Sequence, residues 1–516
     1  MPPALDGLPN EIISSILTQL HGDQATLAAI CRVSRYLGSV ATAPLYRVIQ
    51  QHEDGPHDPC RTPLLLRTLL LNPALGSHIV EVQLKIPGQE HEDVSCFSEE
   101  EWLLLKAQVA RLYGTGLFTD DLFSKNILHT TDPCDSPGSE WTWNKNVREG
   151  QWDAVLSLML YCCPRLEKLR GFEWDRWNGL GPIYPGFYFF TFFMSGVARS
   201  KAQGHLHAQK SRPRPDRVPI LPQYRYAHLS LKAESPGRPI LLQSLLPFLY
   251  SSAIELDQVD TKIEGGGTER YRLWGDLMFP TKKLVIRGSL MSANTLGYLL
   301  DSFEVLEEFL LEYGIGDKKY LYVSMRRMVH GSGPLPRGLL RSKKTLTKLE
   351  LARGFSALYA QDYSSIDQTL GSLRDFEVLT HLTVKLELLI WHAKPSNESS
   401  LCDIMPRSLE FLSIATEDVL VSADLTLIID TVSRKERSLL RNVHHFEELV
   451  LRKESVVPNL WHLVLDGIQR ETADSSALAT LKRACATSSV QLSIVLYHVC
   501  FPASGESAMR SERVNF

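Results

Sequence analysis

The side chains that could do chemistry are scattered along this chain. Glu264-Gly265-Gly266-Gly267-Thr268 is the densest glycine run, but no Lys-Ser or Lys-Thr follows it, so it lacks the pattern that cradles a phosphate, and a plain loop is expected. His91, Glu92 and Asp93 are adjacent rather than helically spaced, there is no HExxH, and His205-x-His207 and His444-His445 have no further ligand at a useful spacing. No GxSxG elbow precedes a helix, and serines, histidines and acids are too plentiful for their presence to signal a triad. The expectation is therefore no metal, no cofactor and no enzymatic activity. A Ser or Cys within hydrogen-bond reach of a carboxylate-oriented His, inside a cleft, would reverse it.

The cysteines read the same way. All nine (31, 60, 96, 134, 162, 163, 402, 485 and 500) lack a CxxC pair, which points to reduced thiols in the cytoplasm and/or nucleus. MPPALDGLPNEI has neither a basic n-region nor an apolar h-region, so no signal peptide is expected. No run of about eighteen apolar residues offers a membrane span. Lys plus Arg total 55 against 59 Asp plus Glu, a net charge of -4 that gives no whole-chain attraction to nucleic acid or an anionic membrane. With 516 residues, 44% hydrophobic and 22% charged, a small module plus a larger globular body is the natural organisation.

What remains is positioning, and its clearest record is Leu8–Ile49. Pro9 suits a first helical turn and Glu11 sits where the helix dipole favours a carboxylate. Ile12, Ile13, Ile16, Leu17 and Leu20 recur on one helical face. His21-Gly22-Asp23 breaks that helix. A second apolar set follows at Leu27, Ala28, Ile30, Cys31 and Val33, and a third at Tyr36, Leu37, Val40 and Ala41 that is expected to end near Pro44. A unit this small buries little of its own apolar surface, so part of it is expected to belong to a partner. An N-terminal helical cap packed on the body is the plainer alternative.

These residues resemble the F-box. Leu8, Pro9, Glu11, Ile12, Ile13, Ile16, Leu17 and Leu20 match its first helix, Leu27, Ile30, Cys31, Val33, Ser34, Arg35 and Leu37 the next two, and Pro44, Leu45, Tyr46 and Arg47 its exit. Gly38 departs from the pattern, standing where a larger residue is usual. The resemblance implies that Leu8, Pro9, Glu11, Ile12, Ile13, Ile16, Leu17, Leu20, Leu27 and Leu45 dock a Skp-family adaptor, which joins the chain to a cullin-RING ubiquitin ligase, by helix-in-groove contact. It implies a substrate receptor for an unknown protein target. An F-box interaction protein acting without ubiquitin transfer is the alternative.

The expected fold class is α/β: a three-helix F-box over 1–50, a linker and helix over 51–78, an irregular leucine-rich-repeat-like arc of stacked strand-helix units over 79–500, and a flexible tail over 501–516. Helices are expected at 64–71, 98–113, 152–161, 241–250, 292–303, 425–435, 446–454 and 477–486. Strands are expected where L-x-L phrases fall, at 229–231, 284–286, 309–311, 349–351, 382–384, 412–414, 463–465 and 492–496, with another near 79–86. Leu346-Thr347-Lys348-Leu349-Glu350-Leu351 shows the phrase well. Their spacing drifts between about 25 and 50 residues, so no strict solenoid is implied, and a doubly wound α/β domain fits the same alternation. Residues 132–150 read as a loop, the aromatic segment 184–193 as a buried strand or lid, and the basic stretch 199–217 as a disordered insertion. Like the F-box proteins common in filamentous fungi, the chain follows the F-box with a helix and a strand. In such an arc the residues between the leucines face a concave surface, which places His228, Ser230, Lys232, Arg287, Glu312, Glu350, Thr383, Lys385, His462 and Asp466 there; their mixed signs suit a protein target.

Overall fold

The computed structural model describes residues 8–20, 22–50, 62–85, 97–114, 140–173, 190, 193–194, 196–197, 221–230, 240–241, 245, 248–257, 261–262, 278–289, 291, 293–313, 334–351, 370–389, 400–415, 442–469, 476–500 and 508–516. The chain divides into two compact units, Met1–Arg238 with Gln243–Ile254, and Pro239–Leu242 with Glu255–Phe516. The boundary at Ile254/Glu255 falls inside a strand, β6 (Ala253–Asp257).

The first unit opens with α1 (Asn10–Gln19), α2 (Gln24–Cys31) and α3 (Arg35–Arg47). Capping side chains begin the second and third: the Thr26 amide donates to Asp23 Oδ1 (2.9 Å) and the Leu37 amide to Ser34 Oγ (3.1 Å). Contrary to the expected stop near Pro44, α3 runs through that proline to Arg47. A mid-helix proline costs about 3 kcal/mol, and packing of α3 against both α1 and α2 offsets it. Gly38 allows that packing, because a Cβ there would lie 2.9 Å from Cys31 O.

The chain then passes into parallel β1 (Val48–Gln50), β2 (Glu81–Lys85), β3 (Lys168–Glu173) and β4 (Tyr226–Ser230), hydrogen-bonded in that order. One row across them, Val82, Leu169 and Ala227, is fully buried. Helices α4 (Thr62–Leu71), α5 (Pro73–Gly76), α6 (Glu99–Gly114), α7 (Glu140–Arg148) and α8 (Trp152–Tyr161) connect the strands. All residues of α8 from Trp152 to Leu160 are buried, making it the unit's central helix. Gly76 sits so close to Cys162 O that an added Cβ would overlap it at 1.9 Å. A capping box starts α6: the Ser98 amide donates to Glu101 Oε2 (2.8 Å) and the Glu101 amide to Ser98 Oγ (3.3 Å), while Arg67 of α4 reaches Glu101 Oε1 at 2.7 Å.

The second unit is built on β8 (Lys283–Ser289), β9 (Glu308–Tyr313), β10 (Lys348–Leu351), β11 (His381–Lys385), β12 (Phe411–Ala415), β13 (His462–Gln469) and β14 (Gln491–Cys500), parallel and in chain order. Their register explains the L-x-L phrases. Leu284, Phe309, Leu349, Leu382, Leu412, Leu463 and Leu492 form one row, and Leu351, Val384, Ile414, Leu465 and Ile494 part of a second, each at most 1% exposed. Each such side chain contributes about 1.5–3 kcal/mol by burial. Helices α9 (Ala293–Asp301), α10 (Pro334–Arg341), α11 (Leu386–Leu389), α12 (Leu401–Ile404), α13 (Val443–Leu451), α14 (Lys453–Val456) and α15 (Ser476–Thr487) lie between the strands in sequence. Two short strands, β5 (Ile240–Leu241) and β7 (Thr261–Lys262), pair separately.

Several expectations are corrected. The tail is not free: β15 (Ala508–Asn515) pairs antiparallel along β14, because a strand edge with unpaired backbone groups is satisfied by any extended segment, polar or not. Residues 140–148 of the expected loop are helical, anchored by Trp143 and Val147 one turn apart and fully buried. The helix expected over 241–250 is β5 at its start and a 3₁₀ turn at Phe248–Tyr250, while Leu245 between them is helical and buried. Phe190 and Phe193 are buried but helical rather than in a strand. The stretch 199–217 and the helix expected at 425–435 lie outside the described residues.

Candidate functional site

The ten residues expected to dock an adaptor separate into two sets. Pro9 caps α1, its carbonyl accepting from the amides of Ile12 (3.0 Å) and Ile13 (3.1 Å). Ile13 (2% exposed) and Leu17 (3%) then turn inward and join Leu27, Leu37 and Ala41 in one core, with Leu8, Leu20 and Leu45 packed partly buried around it. Ile13, Leu17 and Leu27 are therefore corrected from contact residues to core residues: a three-helix unit needs a centre, and these are the positions that face α3 and each other. Tyr36 of α3 fixes the start of α1, its hydroxyl donating to Asn10 Oδ1 (2.6 Å) and to Leu8 O (3.3 Å).

The other set faces out. Ile12 is 49% and Ile16 45% exposed, one helical turn apart, with exposed Pro9 and Glu11 at the same end. The unit also exposes Val33 (71%), in the turn between α2 and α3. Helical spacing placed Val33 on an apolar face; the early end of α2 at Cys31 is what puts it in solvent. Thus α1 is apolar on both sides, one sealed by its own chain and one open.

Of the proposed target-binding residues, Glu350 pairs with Thr383 across β10 and β11, and Lys385 and Asp466 share a row through Ala415. Arg287 is half-buried and 3.4 Å from Glu255, and Glu350 is half-buried and 3.7 Å from Lys348. Glu312, Thr383 and Asp466 are half-buried on β9, β11 and β13. Lys385 (1% exposed) and His462 (6%) are corrected from a solvated face to buried positions. Alternation puts them opposite the leucine rows, yet the row Ser413, Val464 and Ser493 beside them is also buried, so this side of the sheet is covered there, while His381 and Gln491 on it stay exposed. His228 and Ser230 are half-buried on β4, and Lys232 lies outside the described residues.

His462 is held in a cluster. Its Nε2 lies 2.8 Å from Ser493 Oγ and 3.2 Å from Arg513 Nη2, with Phe411 edge-on at 5.1 Å and Trp461 at 5.0 Å. Burial first, then the Arg513 guanidinium, lowers the pKa of His462. Ser493 is fully buried and no carboxylate among the described residues bonds His462, so this Ser–His pair does not present a nucleophile to a substrate. Burial likewise pushes the Cys162 thiol up to about 11 and Cys485 up to about 12, which keeps both protonated. Among the described residues no group of three His, Cys, Asp or Glu could hold a metal ion, and no helix is long and apolar enough to cross a membrane. His91–Asp93, His205, His207 and Glu264–Thr268 lie outside the described residues.

No protein-family model matches the chain, and no curated protein matches it.

Proposed function

We propose that this chain is the substrate-recognition subunit of an SCF-type cullin-RING ubiquitin ligase. Its N-terminal three helices form an F-box that docks a Skp-family adaptor, and its α/β body, an irregular leucine-rich-repeat-like arc of stacked strand-helix units, holds a protein target. The chain itself performs no chemistry; it brings a target to a transferase.

One observation carries the reading. In α1 the inward positions Ile13 and Leu17 already complete the bundle's core, so Ile12 and Ile16 contribute little to it and leave two β-branched apolar side chains about half in water. An apolar stripe with no use in its own fold, one turn long and preceded by Leu8-Pro9, suits insertion into a partner's groove. The match of Leu8–Arg47 to the F-box, residue by residue, names the class of partner.

The test is a pull-down from cells with wild type, Leu8→Ala/Pro9→Ala, and separately Ile12→Asp and Ile16→Asp. Loss of the adaptor and cullin from the variants, with other bound proteins retained, supports the reading and makes the retained proteins candidate targets. Undiminished adaptor binding by both Asp variants overturns it. Recovery of adaptor without any cullin reassigns the chain to an adaptor-bound interaction protein.

A further inference from the structure

The cluster around His462 is used neither by the proposed docking face nor by any catalytic arrangement, yet it joins three strands. We propose that it is a proton-sensitive clasp: with His462 neutral it locks β15 onto the sheet, and protonation of His462 loosens β15 and opens the edge of β14.

The geometry sets out the mechanism. β15 pairs with β14 from Ser493↔Asn515 to Cys500↔Ala508, and Leu492 and Phe516 exchange backbone hydrogen bonds beyond that. At this end the strand is fastened by side chains as well. Arg513 Nη2 lies 3.2 Å from His462 Nε2 and donates to Ser493 Oγ (3.3 Å), which is itself 2.8 Å from Nε2 and has one proton for Nε2 or for Asn515 Oδ1 (2.6 Å). For Nε2 to accept from a guanidinium, the ring must be neutral with its proton on Nδ1. Protonation removes that lone pair and sets a second cation 3.2 Å from the first, turning the fastening bond into a like-charge contact.

Among the described residues no acidic side chain compensates. β12 faces the ring with Phe411, and β11 adds His381, stacked on Phe411 at 5.6 Å. Glu410 accepts from the Trp461 and His462 amides through its backbone oxygen. β14 offers Ser493, and β15 Arg513 and Asn515. No carboxylate among the described residues pairs with His462 or Arg513. The depressed pKa of His462 has the matching sign: β15 is held above pH 6.5, the ordinary value of the ring, and the hold is lost as pH falls through the folded-state value.

The experiment is hydrogen exchange on the full chain from pH 7.5 to 5, corrected for intrinsic rates, comparing β15 with β12 as an internal reference. Protection of 508–516 is expected to fall by up to about tenfold per pH unit below 6.5, the slope for one linked proton, while β12 holds. In His462→Gln the β15 profile is expected to be flat; in Arg513→Gln, where no cation opposes the protonated ring, it is expected to be shallow. A flat wild-type profile, an equal fall in β12, or an undiminished fall in His462→Gln overturns the clasp. If His462→Gln does not fold, Arg513→Gln decides alone: an undiminished fall without the guanidinium overturns it.

Discussion

Replacing Ile12 and Ile16 together by alanine separates a docking surface from a folding core. Each side chain is about half exposed, so each keeps about half of its burial free energy to contribute when a partner covers it. Full burial of an isoleucine is worth about 1.5–3 kcal/mol, so the pair should supply about 1.5–3 kcal/mol of binding, or roughly 10- to 150-fold in Kd. Folding should change by no more than about 1 kcal/mol per site, since about half of each side chain lies in water and alanine is the better helix former. Leu17→Ala, at 3% exposure, is the opposite case: about 2–5 kcal/mol of folding stability is lost from the three-helix core. Urea denaturation followed by circular dichroism and calorimetric titration of a purified Skp-family adaptor read the two quantities independently. If the double alanine variant loses stability as Leu17→Ala does, or binds the adaptor as tightly as wild type, the division of α1 into an inner and an outer face is wrong.

Three further outcomes follow from single contacts. Gly38→Ala should destabilise by about 1 kcal/mol despite the better helix propensity, because the new methyl would press on the Cys31 carbonyl, and a raised urea midpoint would show that α2 and α3 can yield. Gly76→Ala should cost about 3 kcal/mol or more, since its Cβ would overlap the Cys162 carbonyl; a Tm within a degree of wild type would contradict the close approach of α5 to the end of α8. The Ser98 amide first, then Arg67, holds the Glu101 carboxyl below its usual 4.5, so its contribution is present above that pH and lost as pH falls through the lower folded-state value. Glu101→Gln should therefore be less stable than wild type at pH 7, with the gap narrowing as pH falls below 4.5, and a gap independent of pH would remove the carboxylate from the explanation.

What was legible in the chain, and what was not, has a physical division. All eight L-x-L strands are present, because a strand buried between in-register leucine rows must repeat apolar residues at alternate positions, as Leu349 and Leu351 do beside Leu382 and Val384. The helix over Val443–Leu451 was readable for a similar reason, with Val443, Phe446, Leu449 and Val450 buried at helical spacing. β15 carries no such signal. Its sequence AMRSERVN pairs along the backbone of β14, and a polar edge strand looks like a tail. α7 has little apolar signal: among its residues of described burial, Trp143 and Val147 are the ones buried.

At the candidate site, periodicity puts Ile12, Ile13, Ile16 and Leu17 on one face of α1, and the structure divides them between two. Ile12, Ile13, Ile16 and Leu17 are equivalent by type, and only the position of α3 determines that two are inside and two outside. Alternation placed Lys385 and His462 opposite the leucines without revealing that this side is also covered around them. Pairing partners such as Arg513 for His462, fifty-one residues apart, leave no local trace.

The most direct measurement is a hydrogen-exchange footprint of the full chain mixed with a purified Skp-family adaptor. Docking through the outer face of α1 predicts a stable complex in which peptides spanning Pro9–Gln19 gain protection while the strands β8–β14 keep theirs unchanged. No complex at micromolar concentration, or a complex whose only protected peptides lie away from α1, would contradict it.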